Sequence, residues 1–384
     1  MNNNQLLIAL LTLWPFWFSC RAQTPAPSLF KPAAGSPIAM NCGPGNLAAG
    51  DLNKDGKADL VIACGDNHTL TIYKGRGDGQ FDVDAGSSVS LPFPPNEIVI
   101  GDMNNDGRAD LVVGTHDSYS IMIFHGDGKG NFSTASSDSV AMRKGSHAHT
   151  HGLGVADVNG DGSLDIVTAN SSDNDISVML NKGRHGFLAA PGSPFAVAPA
   201  PYPLTIADIN NDKHPDIVST SSHSSTRALT VLVGNGHRNF LRKDVPLRTA
   251  NPWFVAIADI NKDKFPDIVT THSERSELTV LIGSNTGDFT EVSSSPFDLG
   301  NSAWHVATTD ANRDGNPDVL AAANNGVRLM LGDGKGQFSA APGSPFLTGK
   351  GTWHLAITDV NGDSVPDVVT TNLESKDVSV LLGK

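Results

Sequence analysis

Seven times along the chain a nine-residue pattern, D-x-N-x-D-x-x-x-D, places oxygen-bearing side chains at alternating positions. The copies supply Asp51, Asn53, Asp55 and Asp59; Asp102, Asn104, Asp106 and Asp110; Asp157, Asn159, Asp161 and Asp165; and Asp208, Asn210, Asp212 and Asp216. They continue with Asp259, Asn261, Asp263 and Asp267; Asp310, Asn312, Asp314 and Asp318; and Asp359, Asn361, Asp363 and Asp367. Ca²⁺ takes six to eight oxygen ligands, and a loop with donors at positions 1, 3 and 5, a carbonyl at 7 and a carboxylate at 9 can wrap such an ion. Asp and Asn also initiate ordinary turns. Energetics favour the cation, because two carboxylates ~4 Å apart repel by about 1 kcal/mol in water and up to about 4 at an effective dielectric of 20. Calcium is therefore the expected cofactor, up to seven ions, with Mg²⁺ a poorer match to so large and irregular a ligand set. Glycine holds the sixth position at Gly56, Gly107, Gly162 and Gly315; Lys213, Lys264 and Ser364 replace it in the fourth, fifth and seventh copies, which makes those three the weaker expectations.

The copies are spaced by 51, 55, 51, 51, 51 and 49 residues, so one structural unit recurs. A short apolar stretch precedes each acidic loop, and a β-branched stretch such as DIVST or DIVTT follows it. A third run, LTVLVGNG or LTVLIGS, leads to a Gly-rich turn and a Phe. Four short antiparallel strands per ~50 residues describe a propeller blade. Four residues before each leading Asp stand seven large aliphatic residues, Leu47 to Leu355, and one residue before it only Gly, Ala or Thr, as crowding around a central axis requires. The last unit stops after its third strand, while residues 30–38, FKPAAGSPI, match the fourth-strand segments FLAAPGSPF and FSAAPGSPF. The expected fold is all-β, a seven-bladed propeller of four-stranded antiparallel blades closed by the N-terminal strand, which leaves no open sheet edge.

The seven loops, each preceded by an apolar strand, and the Gly-rich turn before Phe resemble the FG-GAP/VCBS repeat family, which includes integrin α-subunit propellers and certain fungal lectins. The resemblance covers nearly all of residues 23–384 and implies calcium loops joining the first and second strands of each blade on one face. Ligands of the family usually meet the opposite face.

That face should carry the starts of the inner strands. Six residues before the leading Asp stand Gly45, Asn96, His151, Tyr202, Trp253, Trp304 and Trp353, followed by Asn46, Glu97, Gly152, Pro203, Phe254, His305 and His354. Aromatic faces beside imidazoles suit sugar rings or extended peptides, so His151, Tyr202, Trp253, Trp304, His305, Trp353 and His354 are candidate ligand-binding residues. The same rings could instead pack as core between blades. His147, His149 and His151 alternate as H-x-H-x-H, which on an extended strand points three imidazoles one way, either as a Zn²⁺ or Cu²⁺ site or as a solvated loop.

A formal charge of −13, with 27 Lys and Arg that form no run, excludes a nucleic-acid partner. Residues 6–19 are apolar, too short to span a bilayer but the length of a signal-peptide core. Cleavage after Ala22 gives a soluble secreted chain; cleavage before Cys20 gives a lipid-anchored one. Either route implies a secreted, periplasmic or cell-surface location, where Cys42 and Cys64 can form a disulfide. The expected function is a monomeric, calcium-stabilised binding or adhesion module for a carbohydrate or protein ligand. The alternative is a sugar lyase or dehydratase using His151, Tyr202, His305 and His354 as acid and base. No G-x-S-x-G motif and no paired carboxylates outside the acidic loops support a catalyst.

Overall fold

The computed structural model describes residues 28–83, 88–144, 148–221, 225–237, 239–272 and 275–384. The proposed leader, residues 1–22 or 1–19, lies outside them.

Seven small antiparallel sheets, in chain order, form the seven blades of a β-propeller. In blade one the strands are Pro44–Gly50, Asp59–Cys64 and Thr69–Gly75, with the outer strand in two pieces, Phe81–Asp82 and Ser88–Ser90. Blades two and four have a single outer strand, Ser137–Ala141 and Phe240–Pro246. Blade seven is closed across the chain termini: Phe30–Pro32 pairs with Gly383 to Leu381, and Ile38–Ala39 pairs with Val378 and Asp377. The repeat alignment of residues 30–38 with other outer strands thus predicts a real pairing. Closure satisfies the last blade's edge amides and ties the two ends of the fold together.

The core lies between blades rather than within one. Second strands such as Leu60, Val61 and Ile62 are wholly buried on both faces, because each sheet packs against neighbours on both sides. The second residue of every acidic loop, Leu52, Met103, Val158, Ile209, Ile260, Ala311 or Val360, is also buried and anchors its loop into that core. The small residues one before the leading Asp meet the next inner strand: a Cβ on Gly101 would stand 2.9 Å from Leu164 and 3.3 Å from Val155. Inner strands of up to seven residues span about 20 Å, so the acidic loops and the strand starts lie at opposite ends of the propeller axis.

Candidate functional site

At the loop end, one hydrogen-bond pattern repeats in all seven blades. The leading Asp accepts from the amides of the fifth and sixth residues: Asp208 from Asp212 and Lys213 at 3.0 and 2.7 Å, Asp359 from Asp363 and Ser364 at 3.2 and 2.7 Å. The backbone has positive φ at the sixth residue whether it is Gly56 (81°), Lys213 (71°), Lys264 (75°) or Ser364 (63°). The three copies without glycine therefore adopt the same loop backbone.

The ninth-position Asp does something spacing alone did not reveal. It is fully buried in every blade. One carboxylate oxygen accepts from the second residue of its own loop and the other from the end of the third strand, as Asp267 does from Ile260 at 2.8 Å and Gly283 at 2.7 Å. A Cβ on Gly283 would sit 2.1 Å from the Pro266 carbonyl oxygen, so the close approach admits no side chain there. Burial, then the neighbouring loop carboxylates, push Asp165, Asp216, Asp267 and Asp318 up to about 6. The donor set is all oxygen and its carboxylates repel one another, which fits a hard cation. Among the described residues, no three carboxylates, imidazoles or thiolates already form a metal cage; the loop side chains are turned onto the loop's own amides.

At the other end of the axis the seven strand starts close into a ring. His151 lies 3.8 Å from Tyr202, Tyr202 4.3 Å from Trp253, Trp253 5.7 Å from Trp304, and Trp304 stacks on Trp353 at 5.4 Å between centroids. The Trp353 indole N–H donates to Asn46 Oδ1 at 3.1 Å; Asn46 donates to Glu97 at 2.9 Å, and Asn96 donates to Glu97 at 3.2 Å. Register shifts near the strand starts, between His151 and Leu153, Ala303 and His305, and Thr352 and His354, turn these side chains toward the axis. Gly152 (φ 69°) serves the same end, since a Cβ there would lie 2.7 Å from the Tyr202 carbonyl oxygen.

A second layer lies beneath. Phe254 meets His305 at 4.0 Å, and His305 meets His354 at 3.9 Å. Burial holds both imidazoles neutral, His354 lowered to about 3 and His305 well below its ordinary value. Their Nδ1 atoms are buried without a protein hydrogen-bond partner. The Glu97 carboxyl, enclosed by Asn46, Asn96 and Tyr202, is pushed up to about 7 by burial. Burial, and then the Glu97 charge, raises the Tyr202 phenol.

The ring therefore combines both readings open to the sequence. Trp253 and His151, 4% and 3% exposed, are packed members. Trp304, Trp353 and Tyr202 are half-buried and present part of their surfaces outward. The space enclosed among the rings is only about 10 Å³, the size of one water, so a ligand would meet the outer rim rather than enter the axis. Of the alternating histidines, His147 lies outside the described residues, and His149 and His151 touch at 2.8 Å between Nε2 atoms. His116, from the preceding blade, lies 4.3 Å from His151, a neighbour no local motif announced. Cys42 and Cys64 are joined as a disulfide with Cα atoms 5.7 Å apart, beside the first inner strand.

An FG-GAP-like repeat profile matches six overlapping segments, residues 51–113, 102–168, 157–219, 208–270, 259–321 and 310–370. The chain belongs to the FG-GAP-like repeat family. No curated protein matches it in sequence. Among solved structures, this FG-GAP propeller is similar to BBS1N, crystallised in complex with ARL6DN, with a TM-score of 0.62 and 14% identity over 91% of this chain and 97% of that one. It is also similar to an Agrocybe aegerita lectin that recognises non-reducing terminal N-acetylglucosamine (TM-score 0.56, 18% identity, 87% of each chain). A functionally unknown protein from Desulfotomaculum acetoxidans DSM 771 gives a TM-score of 0.56 at 13% identity over 82% of this chain and 89% of that one. At these identities the likeness shows the fold.

Proposed function

We propose that this protein is an exported, calcium-stabilised binding module whose ligand, a carbohydrate or an extended protein segment, docks on the aromatic rim of the axial mouth. One observation carries the reading: of seven equivalent positions, three successive blades present Trp253, Trp304 and Trp353 in mutual contact, and the last two keep outward surface. An edge of indole beside amide and carboxyl groups offers both the stacking face and the hydrogen bonds that a sugar ring uses. The lectin and the BBS1N complex show that propellers of this shape serve sugar and protein recognition alike.

Calcium is proposed at the opposite end, where Asp and Asn oxygens at positions 1, 3, 5 and 9 would hold it. Its charge would neutralise carboxylates that otherwise raise one another's proton affinity. Seven such ions would add +14 to the formal −13.

A glycan array probed with calcium-loaded protein tests the ligand, with Trp304→Ala as the paired variant. Stacking contributes on the order of 1 kcal/mol per ring beyond buried area, so the variant should lose about fivefold or more in affinity and keep its calcium response. Equal binding by the variant refutes the rim as the site. Unsaturated product released from polyuronides, followed by absorbance, would instead establish the lyase alternative.

A further inference from the structure

One junction, between blades two and three, is open at the side. There a cleft of about 720 Å³ opens, within the range of small-molecule sites. At three other junctions an edge-on aromatic pair bridges neighbouring blades: Phe195 with Phe240, Phe297 with Phe338, and Phe346 with Phe30. The first Phe of each pair lies opposite a fixed position of its blade's third strand: Ile176, Leu278 or Val327. In blade two that position is Ile121, and the residue opposite it is Val140. Phe187 of blade three thus lacks its aromatic partner. Blades one, four and seven also lack Phe there. Val89 and Ile38 share core clusters with Phe132 and Phe81 of the next blades, and beside Val245 of blade four Lys243 reaches Gly287 and Asp288 and Arg248 reaches Glu291, closing that junction.

The cleft's apolar walls include Met103, Ile123, Val140, Met179 and Phe187. On its rim, His125 is already bound, with Nε2 2.9 Å from Asp138 and Nδ1 3.3 Å from Asp110. The Arg184 guanidinium, on the opposite wall, donates to the His185 ring at 3.5 Å. Among the described residues no carboxylate lies within 4 Å of its guanidinium. An apolar pocket whose one uncommitted charge is a guanidinium selects an apolar body bearing an anion.

We infer that the cleft between blades two and three binds a small apolar carboxylate, its rings or chain seated on Met103, Met179 and Phe187 and its carboxylate on Arg184. This site is independent of the axial rim.

The test uses calorimetry on the calcium-loaded protein with 2-naphthoate, and with 2-naphthamide as its uncharged counterpart. Saturable 1:1 binding is expected, tighter for the carboxylate. Val140→Phe introduces the residue that blades three, five and six carry and should weaken both probes at least tenfold; Ser139→Trp, at the exposed rim, should do the same if the first variant does not fold. Arg184→Gln should weaken naphthoate about tenfold and leave naphthamide unchanged. Binding that survives both cleft-filling variants places the probes elsewhere and overturns the inference, as does the absence of saturable binding. An Arg184→Gln effect that is equal on the two probes, or missing, overturns the carboxylate assignment.

Discussion

Replacing Glu97 with glutamine should change how stability responds to alkali. The unfolded carboxyl titrates near 4.5 and the folded one near 7, so between those values the folded protein holds a proton that the unfolded chain has released. This contribution to stability is full below pH 4.5 and is lost as pH rises through 7. The gap of about 2.5 pH units corresponds to about 3 kcal/mol at 1.36 kcal/mol per unit. That is an upper figure, because Glu97 as a residue keeps some contact with solvent that screens its charge. Glutamine stays neutral at all pH values and keeps the shape. Asn46 is fixed by the Trp353 indole, but Asn96 can turn its amide to offer an oxygen to the new NH₂ group. The variant should therefore equal or slightly trail the parent at pH 4.5 and exceed it by up to about 3 kcal/mol at pH 8. Urea unfolding from pH 4.5 to 8 measures the difference. His305 and His354, with lowered folded values, impose the opposite slope: their contribution is lost as pH falls below about 6.5. They act on both proteins and cancel in the comparison. A stability difference that does not change with pH would refute the enclosure of Glu97 argued above.

Three further outcomes follow from the loops and strands. Removing calcium with a chelator should lower the melting temperature by roughly 5 °C or more, since each ion at 100-fold its Kd adds about 2.7 kcal/mol; an unchanged midpoint with metal removal verified rejects the cofactor. Gly283→Ala should cost roughly 3 kcal/mol or more because its Cβ meets the Pro266 carbonyl, whereas Gly35→Ala, with φ 82° and nothing within 4 Å, should cost about 1. Chemical denaturation of the pair decides, and equal losses would contradict the crowding. Cys64→Ala opens a loop of 22 residues and should cost about 3 kcal/mol, a difference that should vanish when the parent is assayed in reductant.

Blade number and loop positions were legible because each is repeated seven times, and a repeated spacing amplifies a weak local signal; ring closure was legible because residues 30–38 match two other outer-strand segments. The role of the ninth Asp was not. It depends on the amide of a residue as far along as Gly75 or Gly283, which no window around the loop contains, although a glycine ending six of the seven third strands was there to be noticed. The aromatic arc could be placed by register, but its closure through Asn46, Asn96 and Glu97 joins the first and last blades across the chain. Whether a ring is rim or core depends on the bulges that aim it, and bulges leave no clear trace in sequence. That Val140, in the wall of the blade two–three cleft, stands where blades three, five and six carry Phe shows only once strand register fixes which residues are equivalent.

Symmetry separates scaffold from function in this molecule. Whatever holds a propeller together must be supplied in every blade, and the leading Asp, the buried second residue and the buried ninth Asp recur in all seven. A ligand smaller than the ring is asymmetric, and its site must break the repeat. Two places do so. At the axial mouth one position runs through Gly45, Asn96, His151, Tyr202, Trp253, Trp304 and Trp353, a gradient from polar to aromatic around a single circle. At the second junction, Val140 stands where blades three, five and six carry Phe, and Asn181 where the other six blades carry Gly. Drift under relaxed selection would scatter polar and small residues over all seven blades. Here the axial mouth and the blade two–three seam each gather stacking or apolar surface beside groups able to form hydrogen bonds or ion pairs.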